Sequence, residues 1–230
     1  MRKRIEIVDK PKIFVSAGSP STEAQEKFIE AIEQKLRDAG FEPQTVGRTR
    51  FAAEAPLKEI IQTINESVGA MIIAEERVYI ESGTERRGGK NERALKDVKL
   101  TTPWNQIEAG MAYCKGLPVF VVMEEGVRQE GLLEPYDWIV LPIPFPFTTD
   151  SFVNVSFNDM FDAWKKKIAE KQAQKQQAAA QATATANPAD MTIGQILSSL
   201  KPAQLWATLG SMLVLLAGAF TLGSRLFMGH

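Results

Sequence analysis

The stretch LKEIIQTINESVGAMIIA, residues 57–74, decides the fold. Leu57, Ile60, Ile61, Ile64 and Val68 fall at i, i+3, i+4, i+7 and i+11, one face of a helix that Pro56 opens. The residues from Gly69 to Ala74 carry no polar side chain, which predicts a strand covered on both faces. A helix feeding a fully apolar strand is the repeating unit of a parallel sheet.

The same alternation extends in both directions. KIFVS, residues 12–16, is a short apolar run ended by Gly18-Ser19-Pro20. A helix follows from Thr22, with Gln25 three residues on completing a capping box. Phe28, Ile32 and Leu36 form its apolar stripe, Gly40 stops it, and residues 41–46 read as a weaker strand. Downstream, Thr102-Pro103 starts a third helix, and PVFVVM (118–123) and DWIVL (137–141) are further strands. A last helix, capped by Ser156, places Phe157, Phe161, Trp164 and Ile168 on one face. The expected architecture is α/β and flavodoxin-like, five parallel strands with helices on both faces. Ligands of such sheets bind at the carboxyl ends of the strands, beside the point where strand order reverses.

Composition narrows the chemistry. The chain has 230 residues, one Cys (Cys114) and one His (His230). These counts exclude a disulfide framework, Cys-clustered zinc, Ser-His-Asp triads and paired-histidine metal helices. A formal net charge of −1 gives no electrostatic footprint for nucleic acid. Carboxylates, hydroxyls, amides and aromatic faces remain, with no metal or cofactor required.

Three segments fall where the fold puts its ligand. Ser16, Gly18 and Ser19 form a small, hydroxyl-bearing turn after the first strand, suited to phosphate or ribose. Arg50 and Phe51, in the GRTRF loop after the second strand, offer a cation and an aromatic face; Arg48 shares that loop. The third is TTPWNQIEAGM, residues 101–111. There Ile107, Met111 and Cys114 are expected to face the sheet, with Glu108 beside them and Trp104 one turn earlier on the face of Glu108. A carboxylate next to a large aromatic plane can hold a sugar and stabilise positive charge developing at its C1′.

The C-terminal end reads differently. Residues 205–224 contain no charge, and a helix of that length spans roughly 30 Å, the thickness of a bilayer core. Six lysines between residues 165 and 201 precede it and only Arg225 follows, which orients the N-terminal part toward the cytoplasm. The expected organisation is an arm (1–10), an α/β body (11–170), an Ala/Gln-rich linker (171–191), a short amphipathic segment (192–202) and a single transmembrane helix (203–225). The start of the sequence lacks the apolar stretch of a secretory signal.

KIFVSAGS, LKEIIQTINESVGAMIIA and PWNQIEAGMAYCKGLPVFVV together resemble a Toll/interleukin-1 receptor (TIR) domain, and more loosely its nucleoside deoxyribosyltransferase-like relatives. The resemblance covers about residues 11–145. It implies that Glu108 supports cleavage of the nicotinamide–ribose bond of NAD+, the relatives using the corresponding Glu as a nucleophile toward a nucleoside sugar. It also implies a nucleotide pocket formed by Ser16, Gly18, Ser19, Arg50, Phe51, Trp104 and Asn105, activity in a homo-oligomer, and a role in bacterial stress or antiviral signalling. Asn105 stands where the family has Cys. Residues 75–101, with seven Lys/Arg and six Asp/Glu, form a charged insertion with a short helix expected around 91–98 and with Arg86 and Arg87 available to phosphates. Alternatives are a non-catalytic nucleotide sensor that clusters on membrane lipid, and a TIR-type interaction scaffold.

Overall fold

The computed structural model describes residues 10–49, 56–146 and 155–184. The chain divides into two compact units, Met1–Gln172 and Ala173–His230. The first contains β1 (Lys12–Ala17), α1 (Glu23–Asp38), β2 (Glu42–Thr45), α2 (Pro56–Glu66), β3 (Gly69–Ala74), β4 (Val78–Glu85), β5 (Arg93–Leu100), α3 (Pro103–Cys114), β6 (Val119–Glu124) and β7 (Ile139–Ile143). The last helix, α4 (Val155–Ala184), continues into the Ala/Gln-rich segment, as the helix-forming composition of that segment favours. Ser156 therefore lies inside α4 instead of capping it.

Five strands form one parallel sheet in the order β2-β1-β3-β6-β7. Period-two alternation sends the side chains of each strand to two cores. Ile13, Val15, Met71, Ile73, Phe120 and Val122 meet the apolar stripes of α1 and α4. Phe14, Ala70, Ile72, Val119 and Val121 meet Ile60 and Ile64 of α2 and Ala109 and Ala112 of α3. The order reverses between β1 and β3, so the crevice opens beyond Ala17 and Ala74.

Trp164 organises the first core. Its ring is fully buried among Phe41, Phe120 and Phe161, and its indole N–H donates to the Pro118 carbonyl at 3.0 Å. A methyl group added at Gly69 would come within 3.1 Å of the Trp164 ring, so β3 begins with glycine because α4 packs against its backbone there.

Two expectations are corrected. The charged insertion is an antiparallel β4–β5 hairpin paired from Val78↔Leu100 to Glu85↔Arg93, and residues 91–98 form no helix. Ion pairs use part of its charge: Arg93 and Arg128 both engage Glu85, and Lys99 engages Glu76 and Glu124. The face of α3 is also different. Ile107 and Cys114 are exposed, and the helix buries Asn105, Glu108, Ala109 and Ala112. Two alanines let α3 approach the sheet closely, and that rotation carries two polar side chains inward.

Among the described residues no helix is long and apolar enough to cross a membrane. The expected span, the amphipathic segment at 192–202, and Arg50 and Phe51 lie outside the described residues. Replacing Trp164 by Ala is expected to lower stability by about 3–5 kcal/mol, read by denaturant unfolding. An unchanged midpoint would mean that α4 is not part of this core.

Candidate active site

The carboxyl ends of β1 and β3 and the start of α3 enclose a cavity of about 330 Å³. Ala17 lines it from the end of β1, Gly18 and Ser19 from the first loop, Glu75, Glu76 and Arg77 from the exit of β3, and Trp104 and Glu108 from α3. Thr101, Thr102 and Gln25 complete the wall.

Local sequence places each group. Thr22 accepts a hydrogen bond from the Gln25 amide, which starts α1. The Gln25 side chain reaches back to the Ser21 N–H at 2.7 Å, so the capping box closes on the residue before the cap. Its amide nitrogen donates to the Glu76 carbonyl, tying α1 to the exit of β3. Thr102 caps α3 and Pro103 occupies its first turn.

Glu108 is 9% exposed and hangs from the buried face of α3. A chain of polar groups holds it. The Thr101 hydroxyl donates to Asn105 Oδ1 at 2.7 Å, and Asn105 Nδ2 donates to Ser16 Oγ at 2.9 Å and to the Ile73 carbonyl at 3.2 Å. Ser16 in turn hydrogen-bonds the Glu108 carboxylate. Burial raises the Glu108 pKa, and the Ser16 bond works against that rise by favouring the ionised form. Ser16 and Asn105, each 1% exposed, thus lie beneath the cavity and orient Glu108, whereas Gly18, Ser19, Trp104 and Glu108 stand on its wall.

Glu75 was not among the residues picked out by sequence. It is 8% exposed, lines the cavity, and its buried Oε1 has no hydrogen-bond partner. Burial first, then the neighbouring charges of Glu124 and Glu26, push its pKa up to about 8, and Arg48 only partly offsets them. Glu75 is therefore a neutral carboxylic acid near pH 7, with a proton to donate. Its signal in the sequence was position alone: the first residue past β3, at the reversal of strand order.

Arg48 does not grip a ligand. Its guanidinium forms a bidentate pair with Glu26 at 2.8 and 2.7 Å and sits 3.7 Å from Glu33. Arg86 and Arg87 occupy the hairpin tip and are absent from the cavity wall. Among the described residues no cluster of three or more His, Cys, Asp or Glu side chains is arranged to hold a metal.

No family model and no curated protein matches the sequence. Among solved structures the chain is similar to the CMP N-glycosidase BcmB of Clostridium botulinum, at 17% identity and a TM-score of 0.38, covering 59% of this chain and 89% of that one. It is also similar to the TIR domains of the activated Roq1 resistosome, at 13% identity and a TM-score of 0.32, covering 50% and 58%. A third likeness is to a 2-deoxyribosyltransferase of Bacillus psychrosaccharolyticus, at 17% identity and a TM-score of 0.34, covering 57% and 98%.

Glu75 makes stability depend on pH in a fixed direction. In the unfolded chain it ionises near 4.5, whereas in the fold it keeps its proton to about 8. The folded state thus loses stability as pH rises through that window, and the loss is complete above it. Glu75→Gln is expected to raise Tm by about 3–10 °C near pH 9, with a much smaller change near pH 4. An equal shift at both pH values would contradict the buried neutral acid.

Proposed function

We propose that the protein hydrolyses the N-glycosidic bond of a nucleotide, between the base and ribose C1′. One observation carries this reading: two buried carboxyl groups, Glu108 and Glu75, line one cavity at the reversal of strand order. Groups desolvated to shift their titration at a ligand crevice are the usual mark of acid–base chemistry.

The C1′–N bond breaks with its electron pair leaving on the base, and positive charge develops at C1′ and the ring oxygen. Glu108, aligned through Ser16 and Asn105, answers that charge with its ionised form. Water adds its hydroxyl to C1′. The fate of its proton depends on the leaving group. A base such as cytosine or adenine departs as an anion and takes the proton of Glu75, which water then restores. Nicotinamide departs from NAD+ already neutral and needs none, so the water proton goes to solvent.

The resemblance to TIR domains motivates NAD+ as substrate; the protonated Glu75 favours a nucleobase that must be protonated to leave. Base release from NAD+, nucleosides and nucleoside 5′-monophosphates distinguishes the two. Glu108→Gln is expected to reduce release at least 100-fold, roughly the contribution of one electrostatic group to such a transition state. Glu75→Gln is expected to lower nucleobase release by about 10²–10³-fold while barely affecting NAD+ cleavage. Nucleobase release should also fall as pH passes about 8, where Glu75 ionises. Undiminished release by Glu108→Gln would remove the assignment.

The membrane span predicted at residues 205–224 belongs to this reading as a tether for the glycosidase domain. Recovery of the full chain in the soluble fraction after membrane flotation would contradict it.

A further inference from the structure

Arg77 occupies the turn where β3 ends and the hairpin begins. Its backbone N–H donates to the Leu100 carbonyl at 2.8 Å, closing the base of the hairpin. Its side chain turns the other way, toward the first loop, where Nη1 donates to the Ser19 carbonyl at 3.3 Å and to Ser21 Oγ at 3.2 Å. Nε and Nη2 have no hydrogen-bond partner among the described residues, and no carboxylate pairs with the guanidinium. A guanidinium with two edges presents one to the loop and keeps the other for a ligand.

Arg77 is also the single cation on the described cavity wall. None of the three carboxyl groups on the wall pairs with its guanidinium. Glu76 is paired with Lys99 at 3.0 Å, Glu75 holds its proton at neutral pH, and Glu108 is hydrogen-bonded by Ser16 on the opposite wall, the α3 side. Lys99 and Arg48, the nearby basic groups, are already engaged by Glu76 and Glu124 and by Glu26. The guanidinium thus keeps one edge free at the rim of the cavity.

The arrangement has a polarity. Glu75 and Glu108 are buried, whereas Arg77 is exposed beside the Gly18–Ser19 turn. A ribose held with C1′ toward the buried carboxyl groups would turn its 5′ end outward, where a phosphate keeps part of its hydration. The volume lies at the small end of the roughly 300–1,000 Å³ range of ligand pockets, the scale of one nucleotide unit.

We infer that the unit recognised in this cavity is a ribose 5′-phosphate, and that Arg77, with the Ser19 turn it braces, selects phosphate-bearing substrates over free nucleosides. This deepens the glycosidase reading and rests on it for the orientation of the sugar. The phosphate belongs either to a mononucleotide or to the nucleotide half of NAD+. Both present a 5′-phosphoryl group to Arg77, a monoester in the first and one arm of a diphosphate in the second.

The test is binding to the full chain, measured by calorimetry with D-ribose 5-phosphate and D-ribose. The wild type is expected to prefer the phosphorylated sugar by about 10- to 100-fold, the worth of a charge-assisted contact. Arg77→Gln should erase that preference, Arg77→Lys should keep part of it, and the Arg86→Gln/Arg87→Gln double variant should leave it intact. Circular dichroism checks that each variant is folded. Nicotinamide mononucleotide and NAD+, titrated into Glu108→Gln and into Glu108→Gln/Arg77→Gln, separate the two sources. A loss on the Arg77 change with either ligand supports the assignment.

Equal binding of the two sugars by the wild type, or a preference that survives Arg77→Gln, overturns it. Base release measured on the same proteins answers the glycosidase question separately. A phosphate preference without release from any substrate sustains the Arg77 site and removes the glycosidase reading.

Discussion

Asn105 is the point on which the site hangs. Its amide nitrogen donates to Ser16 Oγ on β1 and to the Ile73 carbonyl on β3, the two strands between which sheet order reverses. An amide with 1% exposure must satisfy its donors and acceptor within the protein, and here it does so by joining three elements. That requirement fixes the rotation of α3, and the rotation decides which other side chains face the sheet. Ala109 and Ala112 follow because the helix lies close to the sheet, and Glu108 follows because it shares the buried face. The orientation of the carboxylate is thus a consequence of satisfying a buried amide.

The opposite wall depends on a different constraint. β3 is buried along its full length, so the residue that follows it emerges at the floor of the crevice without reaching bulk water. Glu75 stands at that position with one buried oxygen unpartnered. A charged carboxylate there would meet Glu124 and Glu26 through a poorly polarisable medium, and holding the proton avoids that repulsion. The hairpin also takes part: Lys99 on β5 bridges Glu76 and Glu124 behind the cavity wall.

Much of the sheet was legible in the sequence because apolar runs such as residues 69–74 and 118–123 have one low-energy use, a strand covered on both faces. The stripe of α4 was legible because Phe157, Phe161, Trp164 and Ile168 have no polar alternative. Readings failed where polarity and burial part company. Ile107, Met111 and Cys114 looked like the inner face of α3 by hydrophobicity; Met111 does pack against the core, but Ile107 and Cys114 are exposed and the helix buries Asn105 and Glu108. Hydropathy cannot register a buried polar chain whose partners, Ser16 and Thr101, are distant or lie outside the helix. The hairpin was obscured because its ion pairs, such as Arg128 with Glu85, cross between segments, so the local pattern shows only charge. The four-residue spacing of Trp104 and Glu108 does bring both to the cavity wall. Glu75 and Arg77 were hidden in a charged run, since only the topology turns that run into a cavity wall.

The account centres on a carboxyl group that stays protonated at neutral pH within a cavity shared with Glu108. The most direct measurement follows the carboxyl stretch by infrared difference spectroscopy across a pH titration, comparing wild type with Glu75→Gln. The account predicts one protonated carboxyl that ionises near pH 8 in the wild type and is missing from the variant. A wild-type protein whose carboxyl groups have all ionised by about pH 6, well above the ordinary glutamate range, would contradict it.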